Sequence, residues 1–234
     1  ETDKAVEAAN HALKLANKTG IHILDTLIHY HVGIANLAAG RTEAARKNLA
    51  DLKPLVTPGQ LVNEVSYLQI SGVISWHEGD LSTAYESTKQ AVKLAHQAGI
   101  SFLYAFQLTT LAVILFEQGD TDKASHTLKQ AEKIARTDKL PTALFYTGLL
   151  NAYFNLQQGR HSKALESLTT ALDIGNSAGR RITSAWWRPD IMSSLCAAAI
   201  EANIHTDYIH RMIRQRKLTP NTEGAALEQW PWPV

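Results

Sequence analysis

The sequence predicts an all-α chain: an α-α superhelix of about five helical hairpins stacked with a period of about 40 residues. Three observations carry this. Gly40, Gly79, Gly119 and Gly159 each end an apolar segment, at spacings of 39, 40 and 40. Small residues hold a fixed phase around them: Gly33, Gly72, Ala112 and Ala152 before each glycine, and Ala45, Ala84, Ala124 and Ala164 after it. Small side chains recurring in phase let two helices approach closely, where a larger one would force them apart. Third, apolar residues between these positions follow i, i+3, i+4, i+7 spacing, and no β-branched run is bounded by paired turn signals.

Taken in order, the pattern predicts helices over 2–18, 22–38, 42–54, 60–78, 81–98, 101–118, 121–136, 141–158, 161–176, 182–202 and 204–217. The first carries Ala5 and Ala12 at the phase of Ala45 and Leu52, and of Ala84 and Ala91. It therefore reads as the second helix of a pair. Gly20, Gly99 and Gly179 stand at helix-ending positions between pairs, and Pro141 fits the first turn of the helix it opens. In the pair over 101–136, Gly119 supplies the turn and Asp120 or Thr121 caps the next helix. Ala124, Leu128, Ala131 and Ile134 then form an inward apolar face between lysines and acids. One such pair cannot bury its own stripe, so the pairs must stack into a curved array with a concave and a convex side. This predicts a helical-repeat domain over 1–217. Residues 218–234, rich in proline and holding Asn221, Thr222, Glu223 and Gly224, read as an extended linker.

Composition narrows the function. With 234 residues, 45% of them hydrophobic and 19% charged, the chain has material for a large core and is neither disordered nor a coiled coil. The 23 basic and 22 acidic residues leave no broad cationic face for nucleic acid. The single cysteine, Cys196, forms no internal disulfide, which fits a reducing cytoplasm. Ile100 to Phe116 and Leu140 to Leu156 run without a charge, yet Gln107, Thr109, Asn151 and Asn155 interrupt them. Buried helices with neighbours on both sides, and no membrane span, are the expectation. The first residues already read as helix, and the chain looks like an excised domain.

The pattern Gly72, Gly79, Ala84, Ala91 and its copies resembles the tetratricopeptide (TPR) signature, with a longer period. The lengthened unit is similar to the helical-repeat region of MalT-like transcriptional regulators. Trp186-Trp187-Arg188-Pro189-Asp190, Leu195-Cys196-Ala197, the run Tyr208 to Pro220 and Trp230-Pro231-Trp232-Pro233-Val234 resemble the stretch that closes such arrays before a DNA-binding domain. The resemblance implies a central, non-catalytic sensor region that binds a small-molecule inducer or a regulatory protein. DNA would be contacted only through a domain absent from this chain. A homo-oligomer is compatible with the resemblance, and no cofactor is implied. A constitutive adaptor for a partner peptide or helix is the rival reading. The GxxxxGK[ST] phosphate loop is absent from the sequence, and no helix-turn-helix is recognisable.

Counting back from each turn glycine, the family's groove positions fall on Tyr30, Ile34 and Leu37; Gln69, Val73, Trp76 and His77; Phe106, Thr109, Val113 and Phe116; and Tyr146, Tyr153 and Gln157. Trp186 and Arg188 would form the mouth. Such a wall suits a flat apolar ligand, a sugar face or a helix, while its aromatics can equally be ordinary core between repeats. Tyr30, Gln69, Thr109 and Leu149 occupy the lysine-type positions of carboxylate-clamping relatives, so no cationic clamp is expected. His29 and His31 lie on different helix faces, and His205, Asp207 and His210 offer no i, i+4 histidine pair, so no metal site is expected. No serine or cysteine sits on a nucleophile elbow. Arg211, Arg214, Arg216 and Lys217 read as cations at a helix C-terminus or as a contact for an acidic partner. Trp230 and Trp232 are candidates for docking onto the body or onto a following domain.

Overall fold

A computed structural model describes residues 2–179, 188–220 and 228–231, which contain helices and no strand. In chain order the helices are α1 (Thr2–Thr19), α2 (Asp25–Ala38), α3 (Thr42–Leu52), α4 (Leu61–His77), α5 (Leu81–Gln97), α6 (Ser101–Glu117), α7 (Thr121–Thr137), α8 (Pro141–Gln157), α9 (His161–Ser177), α10 (Pro189–Glu201) and α11 (Thr206–Arg216). Four complete pairs, α2–α3, α4–α5, α6–α7 and α8–α9, stand between the lone α1 and the closing pair α10–α11. Each first helix touches the first helix of the next pair, whereas successive second helices make no comparable contact. The first helices therefore form the inner wall of the curve.

The small residues are where the pairs meet. Ala45, Ala84, Ala124 and Ala164 are fully buried, as are Ala91, Ala131 and Ala171. A methyl group on Gly72 would lie 2.6 Å from Thr88 Oγ1, and one on Gly33 would lie 2.8 Å from Ile70 Cδ1. The first is a contact within a pair, the second one between pairs. Gly148 and Gly175 play the same part: added Cβ atoms there would meet Ala171 at 2.9 Å and Phe145 at 2.6 Å. Gly148 has no small counterpart in the other pairs, whereas Gly175 stands at the phase of the buried Ala95 and Ala135, a position that the sequence pattern did not single out.

The turns use two chemistries. Gly79, at φ +81°, takes the left-handed backbone that its turn requires. Asp80 and Asp120 then cap the following helices by accepting from the amides of Thr83 and Lys123 at 3.0 and 3.3 Å. At the outer two turns arginine replaces aspartate: Arg41 Nε donates to Asn36 Oδ1 at 2.9 Å, and Arg160 Nε to Asn155 Oδ1 at 2.8 Å. The buried asparagines tie each turn back to its first helix.

Four expected boundaries shift for local reasons. Helix α2 starts at Asp25 and not at 22, because a turn brings the Asp25 amide to the His22 carbonyl and the His22 ring to the Asp25 carboxylate at 2.8 Å. Pro54, with no amide proton, turns the end of α3 into a short 3-10 turn at Lys53–Leu55. The helix expected over 182–202 begins only at Pro189: Arg188 is extended, at φ −129° and ψ 134°, as a residue preceding proline prefers. Residues 182–187 lie outside the described residues. Asn203 and His205 hold positive φ angles that delay α11 until Thr206.

The stretch expected to be an extended linker packs in part against the body. Leu218 and Trp230 are buried, the Trp230 indole donates to the Leu218 carbonyl at 3.0 Å, and Ser193 Oγ donates to the Thr219 carbonyl at 2.7 Å. Trp232 lies outside the described residues. No described helix is long and apolar enough to cross a membrane.

Candidate functional site on the first-helix wall

Two of the expected wall positions, Tyr30 and Gln69, build a polar chain across three pairs together with Gln107, which was not among them. The hydroxyl of Tyr30 on α2 donates to Gln69 Oε1 on α4 at 3.0 Å, and Gln107 Nε2 on α6 donates to the same oxygen at 2.7 Å. Burial pushes the Tyr30 hydroxyl up to about 12, partly offset by its bond to Gln69. Gln69 and Gln107 are buried, and Gln107 Oε1 has no partner among the described residues. Gln107 stands two positions from the expected Thr109. The signal in the sequence that marks it is the near-constant spacing of Tyr30, Gln69 and Gln107 on successive first helices. Thr109 is instead buried, with its hydroxyl turned back to the Ala105 carbonyl at 2.8 Å.

Most expected aromatics are packed against one another. Val73 and Trp76 are buried, and so is Tyr146, whose ring meets Phe106 edge-on with centroids 5.4 Å apart. Phe116 is half-buried and stacks on Phe154 at 4.1 Å, with Tyr153 tilted beside it at 5.9 Å. The His77 ring stands edge-on to Trp76 at 5.2 Å. Of the two roles the sequence left open for these positions, Val73, Trp76, Thr109 and Tyr146 take the core one: all four are buried, Trp76 and Tyr146 against neighbouring rings. Tyr30, His77, Phe106, Phe116 and Tyr153 keep part of their surface open. Trp186 lies outside the described residues.

Arg188 joins the wall from the far end of the chain. Its Nη1 donates to both oxygens of Glu117, at 2.9 and 3.0 Å, and its guanidinium carbon sits 5.0 Å from the centre of the Trp76 ring. The Trp76 indole donates to Glu117 Oε2 at 2.8 Å. Asp190 takes the remaining fork, from Nε at 3.0 Å and Nη2 at 2.5 Å. Burial pushes the Asp190 carboxyl up, but Arg188 outweighs it and holds the group below the usual carboxylate range. The Asp190 bond in turn raises Arg188. Glu117 carries no signal in the repeat phase; its partner is distant in sequence, and only the fold brings them together.

The basic end of α11 divides. Arg216 Nη1 donates to the Ala38 carbonyl at the end of α2 at 2.7 Å, while Arg211, Arg214 and Lys217 are exposed. Ile209, Met212, Ile213 and Leu218 share one buried cluster with Val73, Trp76 and Tyr146. The closing pair thus packs into the same core as the wall.

Cavities of about 480 and 470 Å³ lie elsewhere. One, lined by His96, Ile100, Tyr104 and Lys133, opens between α5, α6 and α7; the other, lined by Leu156, Leu165, Ser194 and Ala198, opens between α8, α9 and α10. No group of three or more His, Cys, Asp or Glu able to hold a metal occurs among the described residues. Cys196 is buried, and burial pushes its thiol well above the ordinary range, so it is an unreactive packing residue.

Comparison with known families agrees with this architecture, since the model of the MalT-like TPR region matches residues 1–231. The chain belongs to that family. The apo form of RapI is similar in structure, with a TM-score of 0.57, 16% identity, and coverage of 92% of this chain and 76% of that one. BtubC from P. vanneervenii is similar at a TM-score of 0.59 and 12% identity, covering 96% of each chain. At such identities both likenesses concern the fold. No curated protein matches. The MalT-like TPR chain is a helical-repeat regulatory or protein-interaction domain, and no catalytic family is indicated for it.

Proposed function

We propose that this MalT-like TPR chain is the non-catalytic, signal-sensing region of a bacterial transcriptional regulator, working in the cytoplasm and binding a small-molecule inducer or a regulatory protein on its first-helix wall. The observation that carries the reading is the chain of Tyr30, Gln69 and Gln107. An occupant that touches it meets α2, α4 and α6 together, and so biases the spacing of three pairs at once. Polar groups set into an aromatic surface fix orientation, while Phe106, Phe116 and Tyr153 supply apolar area. A ligand with different affinity for two curvatures of the array shifts their populations, and the DNA-binding part of such a regulator would read that shift.

A second reading, a constitutive adaptor for a partner helix, draws support from the closing pair, which shows that this core accepts helical neighbours. Isothermal titration and thermal shift with a metabolite panel and candidate regulatory proteins separate the two. A small molecule that raises the melting temperature of the wild type, and not of Gln69→Leu, supports the sensor. Binding of a partner helix alone favours the adaptor, and binding by nothing overturns both.

A further inference from the structure

The contacts of Arg188 fall into two halves. Asp190 lies two residues away and travels with it, whereas Trp76 and Glu117 belong to the ends of α4 and α6. The wall half is a carboxylate beside an aromatic face, with the indole N–H fixing the orientation of the carboxylate. That combination suits a guanidinium, which is planar enough to stack on a ring and offers a fork of N–H donors; an ammonium does neither. Glu117 is 19% exposed and Arg188 27%, so the site opens to solvent on one side. Were Arg188 to leave, Glu117 would keep the Trp76 indole as its side-chain donor among the described residues while partly withdrawn from water, and would call for another cation.

We propose that Trp76 and Glu117 form a guanidinium-binding site on the first-helix wall, that Arg188 fills it in cis, and that an arginine presented by a partner protein competes for it and frees the start of α10. The proposal rests on the reading of the wall as the surface where this domain is engaged, and it adds the chemistry of the partner. Arg188 holds the leading end of α10 to the wall, ahead of the buried Ile191 and Met192, with Arg216 anchoring the other end of the closing pair at Ala38. Displaced, the leading end of α10 frays from the wall as far as the buried Ile191, with the Asp190 carboxylate still able to hold Arg188.

The test is hydrogen exchange of α10 and titration with N-ethylguanidinium, on the wild type, Arg188→Ala and Arg188→Ala/Glu117→Gln. Arg188→Ala is expected to speed exchange at the start of α10 by about tenfold, given the strength of charge-assisted hydrogen bonds. N-ethylguanidinium should bind that variant saturably and restore protection, and do neither in the double variant. In the wild type, an arginine-bearing peptide should speed α10 exchange where its lysine counterpart does not. Equal N-ethylguanidinium binding by both variants, or equal effects of the two peptides, overturns the proposal. Arg188→Lys keeps the charge and serves if Arg188→Ala does not fold; it should also speed exchange, and wild-type protection in it overturns the proposal. Failure of every inducer in the panel leaves this rescue untouched, so the two readings fail separately.

Discussion

Gln107 on α6 donates to Gln69 on α4 at 2.7 Å, across a separation of 38 residues, and the acceptor oxygen is the same one that Tyr30 on α2 uses. One side-chain carbonyl therefore links three successive first helices. Gln69→Leu strands both donors and is expected to destabilise the fold by about 2–6 kcal/mol, at about 1–3 for each polar group left unpaired. Tyr30→Phe, which removes one donor and strands nothing, should cost about 1 kcal/mol. Urea denaturation of the two variants gives the comparison, and equal costs would contradict the shared acceptor.

The same chain has a pH signature. Burial raises the Tyr30 hydroxyl from 10.0 in the unfolded chain to about 12 in the folded one, so the folded state keeps a proton that the unfolded state has lost. Its contribution is full below about pH 10 and is lost as pH climbs towards about 12. Urea midpoints measured across that window should fall more steeply for the wild type than for Tyr30→Phe.

The contact between Gly72 and Thr88 is the tightest test of pair packing. Gly72→Ala sets its methyl 2.6 Å from a threonine hydroxyl that is itself buried without a partner, and should cost about 1–3 kcal/mol. Thr88→Val removes an unpartnered buried hydroxyl and should stabilise by about 1 kcal/mol. Thr88→Ala should relieve part of the Gly72→Ala penalty, as a double-mutant cycle would show. Ala84→Leu, Ala124→Leu and Ala164→Leu should each cost about 1–3 kcal/mol by overpacking, while Lys129→Leu on the exposed face changes little.

Cys196, buried on α10 with its thiol raised by burial, should react with a thiol reagent only as fast as the chain unfolds. Labelling kinetics with and without urea measure this. Rapid native labelling would mean that α10 leaves the core without help.

The alternation of turn glycine and buried alanine was legible because it repeats: four copies of one constraint stand out where one would not. Gly33, Gly72 and Ala84 could be placed from phase alone. Gly148 and Gly175 were not placed, since what makes each necessary is a particular neighbour: Ala171 for Gly148, and Phe145 and the Tyr208 hydroxyl for Gly175. The wall positions were found by phase, but phase does not distinguish a ring facing the groove from one facing the next repeat. Trp76 and Tyr146 therefore proved buried, and Phe116 turned onto Phe154. Glu117 was missed for a different reason: its pairing with Arg188 spans 71 residues, and no local pattern records it.

The measurement that bears most directly on the sensing role is peptide-resolved hydrogen exchange of the intact chain, with and without whichever inducer or regulatory protein binds it in the titrations. Protection gathered on α2, α4 and α6 around Tyr30, Gln69 and Phe106, and weakened by Gln69→Leu, is the result expected. Protection confined to the outer helices α3, α5 and α7 would contradict a sensing wall.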